Sequence, residues 1–143
     1  ECFGCSFACR LGSCLCGNVQ YSTLAAPLVT AVCHCTDCQK QSGSAFSINV
    51  VVPAEGFEVE GLSLSSFASD GGSGMPVRRF FCGACGSALY SEVATMPGLF
   101  VIKAGTLSDP SVVQPAMHLW CRSAQPWVAI DRALPCFEQA PTD

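Results

Sequence analysis

The sequence predicts a mainly β, single-domain fold clipped together by metal, and three observations carry that prediction. Short runs rich in β-branched and aromatic residues recur along the chain, bounded by Gly, Pro and Ser, which is the pattern of strands and turns. Only one stretch reads as helix. Seven of the twelve cysteines fall into closely spaced groups, and such spacing suits metal ligation better than a disulfide framework.

Taken in order, residues 1–10 ("ECFGCSFACR") show no strand or helix pattern. They read as an N-terminal extension, either a disordered tail or a metal-binding one through Cys2, Cys5 and Cys9, ahead of a single domain over 11–143. "NVQYSTL" (18–24) alternates apolar and polar positions. "LVTAVC" (28–33), "AFSINVVV" (45–52), "FEVEG" (57–61), "RRFFC" (78–82), "ALYSEV" (88–93), "LFVIKAGTL" (99–107) and "AMHLWC" (116–121) are further strand runs. "TDCQKQSG" (36–43) predicts a short helix, with Thr36 or Asp37 as the cap and Gly43 as the stop. "SDGGSGMP" (69–76) predicts a solvated hairpin loop, with a mobile lid as the alternative. The tail from Pro135 to Asp143 is rich in Pro and polar residues.

A chain of 143 residues fits one domain, and a domain of this size buries roughly 68–70% of the surface its unfolded chain exposes. Half of the residues are hydrophobic and 13% are charged, against about 25% charged in an ordinary domain. So little charge suggests a surface covered in part by a second copy, hence a homo-oligomer. The net charge is −4, and Arg78–Arg79 is the only adjacent basic pair. Nucleic-acid binding draws on Lys and Arg to neutralise phosphates, so no nucleic-acid partner is expected. No apolar run approaches the roughly 20 residues of a membrane span: Ile48 to Val52 is interrupted by Asn49 and stopped by Pro53. No membrane partner is expected. Thiolates must stay reduced to hold a metal, which places the protein in a reducing compartment, the cytoplasm.

Cys14-x-Cys16 and Cys82-x-x-Cys85 supply four soft ligands. Residues two apart on a strand share a face, so Cys14 and Cys16 can present both sulfurs together. Cys82-Gly-Ala-Cys85-Gly has the form of a zinc knuckle, its glycines permitting the tight turn. Four protein ligands make a structural zinc site, worth ~10–16 kcal/mol in small zinc peptides. Cys33-x-Cys35-x-x-Cys38 supplies three ligands, and three with an open position is the catalytic arrangement. Cys121, Cys136 or one of Cys2, Cys5 and Cys9 could close that site. His34 alternates away from Cys33 and Cys35 and reads as a surface or supporting residue. Three thiolates make a metal a weaker Lewis acid than neutral histidines do. Such a site suits a substrate thiol, which a metal ion deprotonates on coordination, better than the generation of hydroxide.

Other residues have a functional and a plainer reading. His118, expected on a strand face with Trp120, could be a general base near the open zinc, or a satisfied structural histidine. Arg78, Arg79 and Lys103 could meet a substrate carboxylate, or be solvated charges. Trp127 is expected in the core, with a pocket wall as the alternative. Asp37 and Ser42 are expected to cap the local turn.

The stretches "GSCLCGNVQY" (12–21), "CHCTDCQKQSGSAFS" (33–47), "FFCGACGSALYS" (80–91), "IKAGTLSDP" (102–110) and "MHLWCRSAQPWVAIDRALPCFE" (117–138) resemble, in order and spacing, the glutathione-dependent formaldehyde-activating enzymes, grouped with centromere protein V. The resemblance runs from Leu11 to Glu138. It implies several small curled antiparallel sheets around a structural zinc, similar to the zinc-binding Rab-chaperone fold. It implies two zincs per chain: a structural one on Cys14, Cys16, Cys82 and Cys85, and a reactive one on Cys33, Cys35 and Cys38. The activity implied is that of a carbon–sulfur lyase joining glutathione and formaldehyde to S-hydroxymethylglutathione, or cleaving the adduct. Catalytic residues would be Cys33, Cys35, Cys38 and His118, and the partner a small molecule such as glutathione. The alternatives are a non-catalytic zinc module that binds a protein, and a zinc lyase or isomerase acting on another small carbonyl compound with His118 or His34 as acid or base.

Overall fold

The computed structural model describes residues 10–140. Cys2, Cys5 and Cys9 lie outside that range, and Arg10 opens the first strand. Two sheets form. The smaller is antiparallel and joins β1 (Arg10–Ser13), β2 (Gln20–Thr23) and β5 (Phe57–Glu60) in the order β1-β2-β5. The larger has seven strands: β3 (Val29–Cys33), β4 (Ser47–Pro53), β6 (Leu64–Asp70), β7 (Pro76–Cys82), β8 (Ala88–Val93), β9 (Leu99–Lys103) and β10 (Met117–Leu119). Their order is β10-β3-β4-β9-β8-β7-β6. The fold is thus mainly β, in two sheets. The larger is mixed, because β10 pairs parallel to β3 while its other neighbours run antiparallel.

Strand alternation decides what each sheet face meets. On β4, Ile48, Val50 and Val52 turn toward the small sheet, where Val19, Tyr21, Phe57 and Val59 complete the core with Tyr90, Ile102, Phe80 and Phe100. Phe57 is the aromatic hub, its ring centroid 4.8 Å from that of Tyr90, 5.0 Å from Phe100 and 5.4 Å from Tyr21. Leu89 and Ile102 are fully buried, each stabilising the fold by about 1.5–3 kcal/mol through burial alone. The opposite face of β4 carries Ser47, Asn49 and Val51, of which Ser47 and Val51 are buried and Asn49 half-buried.

The large sheet curls until its two edges approach. The β6–β7 hairpin loop lies over the residue that follows β10: a methyl group on Gly72 would come within 2.6 Å of the Trp120 ring. Arg79 of β7 likewise reaches Asp37, which follows β3, at 3.8 Å. Residues 71–75 form a closed hairpin turn, with Gly71 N–H donating to Met75 O at 2.8 Å.

The helix α1 (Thr36–Ser42) follows β3 directly and ends at Gly43 with φ 70°, as expected. Its cap is Cys35, whose sulfur accepts from Cys38 N–H at 3.2 Å, rather than Thr36 or Asp37. Two strands escaped the sequence reading. β1 is four residues long, and Tyr21 packs over its Gly12. β6 is largely exposed and polar, so its pairing with β7 alone makes it a strand. "LFVIKAGTL" and "AMHLWC" each stop early as strands. The first passes into a 3-10 turn at Ala104–Thr106 and the second at Cys121–Ser123.

Candidate metal centres

The turn after β1 and the turn after β7 meet at the margin of the core, with Cys14 and Cys82 buried, Cys85 half-buried and Cys16 exposed. Gly17 (φ 81°) and Gly86 (φ 83°) take the left-handed conformations that these two turns require. The sulfurs of Cys14, Cys16, Cys82 and Cys85 all lie within 4.8 Å of one another. Cys14 Sγ is 3.6 Å from Cys16 Sγ, and Cys16 Sγ is 3.8 Å from Cys82 Sγ. Four sulfurs around one zinc at about 2.3 Å stand about 3.8 Å apart, so the donor set fits a tetrahedral ion. Donors support the sulfurs from behind: Val19 N–H to Cys14 at 3.3 Å, and the Ser63 and Ser87 hydroxyls 3.2 Å from Cys82 and Cys85. The Ser87 hydroxyl and backbone N–H bring the Cys85 thiol down to about 5. Cys14 and Cys82 are buried and belong to the hydrophobic core.

Cys33, at the end of β3, and Cys35 and Cys38, at the cap and first turn of α1, form the second cluster, again with sulfurs within 4.8 Å of one another. As free thiols they concentrate one negative charge. Hydrogen bonds from Cys33 and Cys38 drive Cys35 down to about 2, with the Arg79 guanidinium also favouring its anion. The same pairing with Cys35 pushes Cys33 up. Among the described residues no further His, Cys, Asp or Glu joins this trio.

Cys121 and Cys136, weighed as closing ligands, are bonded to each other in a disulfide. That removes both from the candidates for the trio's fourth ligand. The pairing follows from the tail, where Cys136 bridges to His118 beside β10 and Phe137 N–H donates to His118 O at 2.9 Å.

His34 does point away from the trio. Its Nε2 lies 2.9 Å from Nδ1 of His118, and both rings are buried. His34 Nδ1 is buried without a partner among the described residues. Burial and the neighbouring His118 hold the His34 pKa below the ordinary imidazole value. Trp120 does not share a strand face with His118: β10 ends at Leu119 and Trp120 turns left-handed, φ 56°.

The three weighed cations separate. Arg78 is exposed and donates to Ser66. Arg79 donates to Ser69 at 3.1 Å and pairs with Asp37. Lys103 is 9% exposed, donating to Ser47 Oγ at 2.9 Å and Asn49 Oδ1 at 3.1 Å. Sequence reasoning missed Ser47 and Asn49. The polar interruption of "SINVVV" was their only signal. Ser42 closes its local turn, donating to Cys38 O at 2.7 Å and Phe46 O at 3.2 Å. Trp127 is not in the core. It is 74% exposed and lines a shallow cleft of about 780 Å³ with Gln39, Lys40, Phe46 and Gln125.

No helix among the described residues is long and apolar enough to cross a membrane. A crystal structure of a Rhodobacter sphaeroides protein is similar in fold, with a TM-score of 0.56 at 19% identity over 73% of this chain and 91% of that one. No curated protein matches this chain. The family model for the glutathione-dependent formaldehyde-activating enzyme matches residues 9–123, a span that holds both cysteine clusters. The chain belongs to the glutathione-dependent formaldehyde-activating enzyme family.

Proposed function

We propose that this protein is a zinc-dependent carbon–sulfur lyase that binds a glutathione-like thiol and a small carbonyl compound at Cys33, Cys35 and Cys38, with formaldehyde the carbonyl compound that the family suggests. In this reading Cys14, Cys16, Cys82 and Cys85 hold a structural zinc. The observation that carries the proposal is the difference between the clusters: four converging sulfurs at one, against three at the trio with no fourth ligand among the described residues. Zinc held by three cysteines would favour the thiolate form of an incoming thiol.

The reaction joins the substrate sulfur to the carbonyl carbon. The carbonyl π bond breaks and its oxygen takes a proton, and the reverse step cleaves the same carbon–sulfur bond. A substrate sulfur that approaches as an anion needs positive charge nearby, and Lys103 and Arg79 supply it. His118 enters as a positioning residue, holding the His34 ring at 2.9 Å and with it the backbone between Cys33 and Cys35. The Trp120 ring and the β6–β7 loop, in contact at Gly72, wall this end of the sheet.

The test is zinc per chain together with glutathione binding and formaldehyde turnover, in the parent and in Cys35→Ser. The parent should hold two zincs. Cys35→Ser should fold, keep one zinc, and lose glutathione binding and turnover together. A Cys35→Ser protein with parental turnover would remove the trio from the reaction.

A further inference from the structure

Lys103 is a buried cation without a carboxylate partner. It lies at the end of β9, opposite Asn49 in register, and is 9% exposed. Two of its three ammonium hydrogens go to neutral oxygens, Ser47 Oγ and Asn49 Oδ1. Ser47 in turn donates to the same Asn49 oxygen at 2.7 Å, so the pair is a fixed cradle. No described carboxylate pairs with it, and the third N–H has no partner among the described residues. A buried charge left this way is costly unless an opposite charge stands nearby. The opposite charge available is the cysteine trio. Ser47 pairs directly with Cys33 across β3 and β4; burial pulls the Lys103 pKa below the ordinary lysine value, and the charges of Cys38, Cys33 and Cys35 oppose that pull.

The charge balance at the trio then decides what can bind. Three thiolates and one divalent cation sum to −1, and an anionic fourth ligand would make −2. In a site screened from water, unlike charges interact far more strongly than in bulk solvent, so Lys103 offsets that accumulation where solvent cannot. We propose that Lys103 is the specificity-determining residue of the trio: its buried ammonium, held by Ser47 and Asn49 and matched by no carboxylate, selects an anionic fourth ligand, a substrate thiolate, over a neutral one. The proposal rests on the open-site reading above and adds the charge that sets ligand preference.

The experiment loads the protein with cobalt in place of zinc and titrates it with glutathione and, separately, with neutral imidazole, reading the sulfur-to-cobalt and ligand-field absorption. Lys103→Met should bind glutathione at least tenfold more weakly than the parent while binding imidazole unchanged. Lys103→Arg should recover most of the loss, which a packing role would not predict. Asn49→Asp, nearly isosteric, should reproduce the loss by pairing with Lys103 and cancelling its field. It decides the matter alone if Lys103→Met does not fold. Equal glutathione affinity in parent and variants, or equal loss of both ligands, overturns the role of Lys103 and leaves the open site standing. A parent that holds two cobalt ions yet binds no glutathione overturns both readings.

Discussion

Cys35 uses one atom twice. Its sulfur caps α1 by accepting from Cys38 N–H, and the same sulfur belongs to the trio. The local spacing of Cys33, Cys35 and Cys38 suffices to bring these sulfurs together, because a strand end and the first turn of a helix constrain them. His34, between two of them, faces the other way and is fully buried. Its pKa is lowered by burial and by His118, so the unfolded chain takes up a proton near pH ~6.5 that the folded chain resists. The sign follows: the neutral ring's contribution to stability is complete above about pH 6.5 and is lost as pH falls through the lowered folded value. The thermal midpoint should therefore drop as pH falls below about 6.5, and drop less in His34→Gln. Both proteins are measured side by side, because acid release of metal is common to them. Parallel pH curves would clear His34 of the effect.

At the scale of elements, α1 and β4 flank the cysteine trio. The helix has seven residues and is stopped at Gly43, whose φ of 70° is a left-handed value that a Cβ resists. No neighbouring atom would obstruct that Cβ, so the cost of Gly43→Ala is backbone strain alone. We expect a loss of about 1 kcal/mol for Gly43→Ala, read from denaturant midpoints, and a smaller loss for Gly43→Asn, since Asn tolerates this conformation. Equal stability of all three would mean that the helix stop is set by something else. The strand β4 was legible as a strand, but its two-sided role was not. Asn49 breaks an apolar run in the sequence, and only its register against Lys103 shows why a polar residue stands there. β6 was missed for the opposite reason: "LSSFASD" has few buried side chains to pattern, and backbone pairing with β7 carries it.

At the scale of the whole molecule, the four-sulfur cluster brings the small sheet's first turn against the turn that follows β7 of the large sheet. A metal held there would close a long loop and contribute folding energy directly. Chelation should lower the thermal midpoint by about 10 °C or more, and zinc analysis during the titration should show the trio emptying before the midpoint falls. A midpoint unmoved after both sites empty would mean that the core holds without the metal. The curled sheet adds a second closure, Gly72 against Trp120 and Arg79 against Asp37, which brings the hairpin loop to the end of the sheet that carries β10 and α1.

By itself the sequence determined the β class, the placing of α1 and its Gly43 stop, the two cysteine groupings and the family. These rest on short-range spacing, or on an ordered set of motifs that needs no knowledge of how strands pair. Tertiary structure alone decided the His34–His118 contact, the Cys121–Cys136 bond, the exposure of Trp127, and the burial of Lys103 between Ser47 and Asn49. Each depends on which strand lies beside which and in what register. Neither alternation nor spacing along one segment carries that information, because the partners stand far apart in the chain and meet only when the sheet closes.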